Sequence, residues 1–112
     1  MYTYNCELLR VIDGDTVTAR IDLGFDIWIK KTIRLNGINA PESRTRDKIE
    51  KKKGIEAKER LIELLEGMSF KIESHGVGKF GRCLGILFVD DVNINEQLIS
   101  EGYAEEYDGG KR

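Results

Sequence analysis

Proline is nearly absent from this chain of 112 residues, with a single copy at position 41. Cysteine and histidine are scarce too, at two and one. Cys6 and Cys83 lie far apart, and neither belongs to a pair motif, so free structural thiols are expected in preference to a disulfide. His75 has no cysteine or histidine near it in the chain. That argues against a zinc centre and against histidine acid–base chemistry, and leaves His75 as a solvated loop residue. No apolar run approaches the ~20 residues a membrane-spanning helix needs. Met1 to Arg10 lacks the basic start and apolar middle of an export signal, so a cytoplasmic location is expected unless a signal has been removed. An excess of positive charge is also missing. The net charge of -2 argues, by itself, against a nucleic-acid partner.

The distribution of charge softens that exclusion. Residues 1–60 carry 13 basic and 10 acidic side chains, whereas residues 61–112 carry 5 and 10. A basic face can therefore coexist with an acidic total. With 40% apolar and 34% charged residues, the chain reads as one soluble domain over 1–112, long enough for a modest core.

Period-two patterning dominates the first third. Residues 3–12, 17–23 and 27–35 read as three antiparallel strands, with Asp13-Gly14-Asp15-Thr16 as the first turn. Ser43 to Lys53 is polar and basic and reads as a mobile surface loop. A helix follows, on the spacing of Ala57, Leu61, Leu64, Leu65 and Met68, with Gly67 as its stop. Phe70 and Ile72 mark a fourth strand, and Leu84 to Val89 a fifth after a glycine-rich turn at 76–82. Asn95 is expected to cap a short second helix that Gly102 ends, and the tail from Tyr103 is expected to be loose. Five strands and two helices in this order fit a Greek-key barrel of the OB type, mainly β with α. Such barrels bind oligonucleotides on an exposed strand face.

The chemistry gathers around Ile33 to Glu42. Arg34 projects from a strand whose other face carries Ile33 and Leu35. Pro41 then stiffens the backbone and pushes Ala40 toward extended geometry. Asp15, the Asn39 side chain and a carbonyl such as that of Ala40 are oxygen donors, which suits a hard cation such as calcium. With no cysteine or histidine cluster, a soft metal is not expected. Arg34 and Arg82 each flank a predicted site loop and are candidates for a phosphate clamp.

The motifs Val11-Ile12-Asp13-Gly14-Asp15-Thr16, Ile33-Arg34-Leu35, Ala40-Pro41-Glu42, Gly54-Ile55-Glu56-Ala57, Lys79-Phe80-Gly81-Arg82, Ile94-Asn95 and Gly102-Tyr103-Ala104 follow one another in the order and spacing of the staphylococcal nuclease (thermonuclease) family. The chain resembles that family over nearly all its length. The resemblance implies an OB-fold barrel that hydrolyses DNA and RNA with calcium and leaves 3′-phosphate ends. By position, Asp15 resembles the family's calcium carboxylate and Ala40 the ligand that uses its backbone carbonyl. Arg34 and Arg82 resemble the phosphate-binding arginines, and Glu42 the proposed general base. There are three departures. Asn39 replaces a second metal-binding aspartate, so calcium is expected to bind more weakly. Phe80 replaces a tyrosine near the substrate phosphate, which removes a hydroxyl hydrogen bond. The family's long C-terminal helix has no counterpart before Arg112, which leaves surface for the tail or a partner to cover.

The expectation is a monomeric, calcium-dependent endonuclease acting on single-stranded DNA or RNA. Its catalytic residues are Arg34, Glu42 and Arg82, and its metal ligands Asp15, Asn39 and Ala40. Lys79 would hold a flanking phosphate, and Phe80 or Tyr107 would stack on a base. Its rivals are a non-catalytic nucleic-acid-binding module of the same fold and a protein-interaction domain.

Overall fold

The alternation of the first third closes into a barrel. In the computed structural model, which describes residues 2–107, β1 (Thr3–Asp13), β2 (Thr16–Asp22) and β3 (Trp28–Leu35) form the expected antiparallel meander. Val17, Ala19 and Ile21 of β2 and Ile33 and Leu35 of β3 are buried on its inner face. β4 (Ile38–Asn39) and α1 (Lys48–Leu65) follow. Then β5 (Phe70–Val77) pairs with β1, and β6 (Cys83–Val89) pairs with β5. β6 also runs parallel to β3, with Ile33 opposite Cys83 and Arg34 opposite Leu84. That pairing closes the long strands in the order β1-β2-β3-β6-β5 and leaves no long edge unpaired. β7 (Val92–Asn93), α2 (Ile94–Ser100) and β8 (Glu105–Glu106) complete the described chain. The architecture is the expected one, mainly strands with two helices on an OB-type barrel.

α1 covers the core with Gly54, Ala57, Leu61 and Leu65, all on one helical face. α2 adds Ile94 and Leu98. The two helices are tied by Arg60, whose guanidinium donates to both Glu101 carboxylate oxygens at 2.6 and 2.9 Å. That guanidinium, with the Gln97 amide, holds the Glu101 carboxyl down to about 2. Cys6 and Cys83 are free thiols, as expected, and burial pushes the Cys6 thiol up to about 12.

Several local expectations are corrected. The segment 43–53 is not one loop. α1 begins at Lys48, capped by Asp47, whose carboxylate accepts the Ile49 and Glu50 amides at 3.0 and 3.2 Å. The basic run Lys51 to Lys53 therefore lies on a helix. Gly54, at the expected helix start, sits inside the helix for a packing reason given below. Asn93, not Asn95, caps α2 by accepting the Glu96 amide at 3.0 Å. Asn95 is buried and acts as a cross-link: it donates to Asn36 O (2.8 Å) and Gly85 O (3.2 Å) and accepts Leu87 N–H (3.1 Å). His75 belongs to β5, where its ring is 2.9 Å from a Glu73 carboxylate oxygen. Leu23 and Ile27 are not buried strand residues but part of an exposed hairpin tip. The tail is ordered where Glu105 and Glu106 pair with Asn39 and Ile38. Residues 108–112 of the expected loose tail lie outside the described residues.

Gly54 allows α1 to reach the site segment. A Cβ there would lie 2.2 Å from the Glu42 carbonyl oxygen and 2.6 Å from the Ser43 nitrogen. Alanine normally gains ~1 kcal/mol over glycine inside a helix. Here Gly54→Ala should instead destabilise the protein by about 1–3 kcal/mol, the usual cost of overpacking. Urea unfolding measures it; a more stable variant would contradict this packing.

Candidate active site

The turn between β1 and β2 is held against two other segments through small residues. A Cβ on Gly14 would lie 2.7 Å from the Ala57 Cβ of α1 and 3.1 Å from the Ala40 Cβ. With no side chain at 14, the turn packs onto both and carries Asp15 inward, where it is only 7% exposed. A buried carboxylate requires partners. Asp15 Oδ2 accepts the Ala40 amide at 2.8 Å, and Oδ1 accepts the Thr16 hydroxyl at 2.9 Å. Arg34, directly across the β2–β3 ladder from Thr16, brings Nη2 to 3.5 Å from Asp15 Oδ2.

Arg34 is held on all sides. Nη1 donates to Leu35 O (3.0 Å) and Ile38 O (2.9 Å), and Nη2 donates to Asn39 Oδ1 (3.2 Å). Its guanidinium carbon lies 5.9 Å from the centre of the Tyr107 ring, and Tyr107 N–H donates to Gly37 O at 2.8 Å. Asp15 and Asn39, 24 positions apart in the chain, thus present one oxygen each to the same cationic nitrogen. All converging donors are oxygens, which fits a hard cation, and only one of them carries charge. Among the described residues, no group of three or more carboxylate, histidine or cysteine side chains converges to hold a metal.

Glu42 stands on a clamped backbone. Gly54 packs under its carbonyl, and the next residue, Ser43, is buried. Ser43 N–H donates to Asp13 Oδ1 at 3.1 Å, and its hydroxyl makes a short hydrogen bond to the same oxygen. The Glu42 amide donates to Glu50 Oε2 at 3.3 Å. The Glu42 carboxylate is exposed and makes no hydrogen bond or ion pair among the described residues.

Arg82 lies between the 3-10 turn and β6, two residues before Leu84, the partner of Arg34 across the barrel closure. It is half-buried and has no partner among the described residues. Lys79 and Phe80 lie on the short 3-10 turn before β6, with Phe80 91% exposed at φ +66°. No contact joins these two to the Asp15–Arg34–Asn39 cluster among the described residues.

The cleft on the α1 side has the opposite sign. Asn39, Ala40, Pro41 and Glu42 line it with Asp47, Glu50, Glu56 and Glu105, against one cation, Lys53. Of the basic run at 51–53, only Lys53 lines this cleft. Sequence reasoning missed the supporting residues: Asp13 and Ser43 behind Glu42, Gly14 and Ala57 behind Asp15, and Asn95. Asn95 carries a signal, since it falls between Ile94 and Leu98 on the face that α2 buries.

The two arginines should differ in what they do for stability. Arg34→Ala takes a donor from the Leu35 and Ile38 carbonyls and the cationic partner from the Asp15 carboxylate, and should cost about 1–3 kcal/mol. Arg82→Ala should stay within about 0.5 kcal/mol of the parent. Paired urea titrations check this; equal effects would contradict the distinction.

Comparison with known proteins agrees with this geometry. The family model described as staphylococcal nuclease homologue matches residues 32–111. A probable staphylococcal-like nuclease of Oryza sativa subsp. japonica is 38% identical over 85 residues, covering 75% of this chain and 24% of the relative. A staphylococcal-like nuclease of Arabidopsis thaliana is 31% identical over 78 residues, covering 70% and 22%. A micrococcal nuclease of Shigella flexneri is 29% identical over 112 residues, covering 90% and 57%. The chain therefore spans between about a fifth and three fifths of the length of these relatives. With the motifs in family order and the barrel closed around them, the chain belongs to the staphylococcal nuclease homologue family.

Proposed function

We propose that the chain is a calcium-dependent phosphodiesterase, an endonuclease that cleaves single-stranded DNA or RNA to 3′-phosphate ends. One observation carries the reading. Asp15 Oδ2 and Asn39 Oδ1 approach the same Arg34 nitrogen, at 3.5 and 3.2 Å, on a chain in which the Glu42 carboxylate and the Arg82 guanidinium have no partner among the described residues. The names of the relatives support it. Asp15, Asn39 and the Ala40 carbonyl would hold calcium, which when bound neutralises charge on a phosphate oxygen.

The remaining steps belong to the chain's own side chains. Glu42 takes a proton from the water that attacks phosphorus. The bond from phosphorus to the 5′ oxygen breaks, and the phosphate stays on the 3′ side. Arg82 hydrogen-bonds the departing 5′ oxygen, which takes its proton from solvent. Arg34 is pre-organised by Leu35 O and Ile38 O and binds a non-bridging oxygen. An Nη2 turned toward phosphate leaves both Asp15 and Asn39 free to ligate. The non-catalytic alternative draws on one fact: Asn39 supplies an oxygen without a charge.

Digestion of single-stranded DNA with calcium or with chelator tests the proposal. Calcium should be required. Arg82→Gln should lower the rate at saturating substrate by about 10²–10³. Asn39→Asp should lower the calcium midpoint and change the rate at saturating calcium less. Cleavage that is unaffected by chelator, or absent at any calcium concentration, would defeat the catalytic reading.

A further inference from the structure

We propose that the outer face of the β2–β3 hairpin is a second nucleic-acid subsite, which carries a single strand from Arg34 to a stacking platform at Trp28. It rests on the reading that the Arg34 end binds a phosphodiester, and it specifies which way the strand leaves. The register places Thr16 opposite Arg34, Thr18 opposite Thr32, Arg20 opposite Lys30 and Asp22 opposite Trp28. On the β1 side, Arg10 lies opposite Thr18 and Glu7 opposite Arg20. Opposed residues share a face, and so do alternate residues along a strand. The inner face is the apolar one of Val17, Ala19, Ile21 and Ile33; on the outer face Thr16 and Thr18 are also buried, and Arg20 is exposed. Arg10, Arg20, Lys30 and Arg34 therefore share the outer face, with Trp28 at its far end.

The acids on this face are Glu7, Asp22 and Asp13. Glu7 pairs with Arg20 at 2.9 Å, Asp22 accepts the Gly24 amide at 2.8 Å, and Asp13 accepts from Ser43. Arg10 and Lys30 have no partner among the described residues. The four cations of the face, Arg10, Arg20, Lys30 and Arg34, outnumber these three acids by one, where the α1-side cleft is acidic, and the unpartnered Arg10 and Lys30 draw a phosphodiester strand leaving Arg34 along it.

The far end is built for a base. The Arg20 guanidinium carbon stacks 4.6 Å from the centre of the Trp28 ring, and Trp28 stays 36% exposed. Beyond it, at the tip, Phe25 is 97% exposed on a backbone at φ +55°, which turns its ring away from the barrel. Aromatic rings beside arginine make a sequence-tolerant stacking surface for unpaired bases. Six residues of strand separate Trp28 from Arg34, roughly 20 Å. That distance calls for several nucleotides. A duplex keeps its bases stacked inside and gains nothing from the platform.

Trp28 is the chain's single tryptophan, so its fluorescence reports on this surface alone. The experiment titrates oligothymidylates of about 12 and about 3 nucleotides, within and below the range of one OB-fold site, in chelator so that none is cut. The longer strand should quench Trp28 saturably, and the shorter should not. Lys30→Gln and Trp28→Leu, followed by anisotropy of a labelled strand, should each weaken the longer strand by about fivefold or more. Neither should change calcium-dependent cleavage of the shortest cleavable substrate. Cleavage by the parent with no Trp28 response, and unchanged binding in both variants, would overturn the subsite and leave the catalytic reading standing. Quenching and weakened binding without any cleavage would uphold the subsite and overturn the catalytic reading.

Discussion

The buried carboxylate of Asp15 is the contact on which the site depends. A carboxylate this far from water must be met by donors, and each of its donors belongs to a structural requirement of the fold. The Ala40 amide reaches it only because the segment after β4 runs beside the β1–β2 turn. Arg34 reaches it only because β3 is in register with β2. The approach itself is a matter of volume. Gly14, Ala40, Ala57 and Gly54 are small where a larger side chain would hold α1 and the turn apart. Removing one partner of such a buried charge costs far more than a surface ion pair contributes.

The same packing divides the surface by charge. α1 brings its acidic residues to one side of Asn39 and Glu42, and the meander carries its cations on the other. The net negative total thus conceals a directional field. Glu42 sits at the boundary. Its backbone is clamped by Gly54 and by Asp13 through Ser43, while its carboxylate has no partner among the described residues.

Much of this was legible in the sequence, for definite reasons. The alternation of Val17, Ala19 and Ile21 is a two-residue period set by one buried face, and it located β2. Asp15, Arg34, Asn39 and Ala40 were named from motif and residue type, and the fold brings them together. What failed were inferences where local chemistry had two meanings. The helix is expected only after Lys53, yet Gly54 lies inside it, because tertiary contact with the Glu42 backbone requires a glycine there. Asn95 read as a cap because asparagine commonly caps; Asn93 does so, and Asn95 uses its amide to join β6 to the turn at Asn36. Lys51 to Lys53 read as a loop because the run is polar, yet Asp47 starts the helix ahead of it. Asp13 and Ser43 carry no local mark at all, since their bond spans 30 residues.

The central claim is that Asp15 and Asn39 hold a hard cation where Arg34 now contacts both. The most direct measurement is a calcium titration of the substrate-free protein followed by backbone amide NMR. The Ala40 amide donates to Asp15 Oδ2, so it should shift saturably as calcium binds, together with the amides of Asp15 and Asn39, and Asp15→Ala should abolish the shift. Amides at 15, 39 and 40 that stay fixed while calcium still supports cleavage would show that the cation binds elsewhere, and would contradict the account.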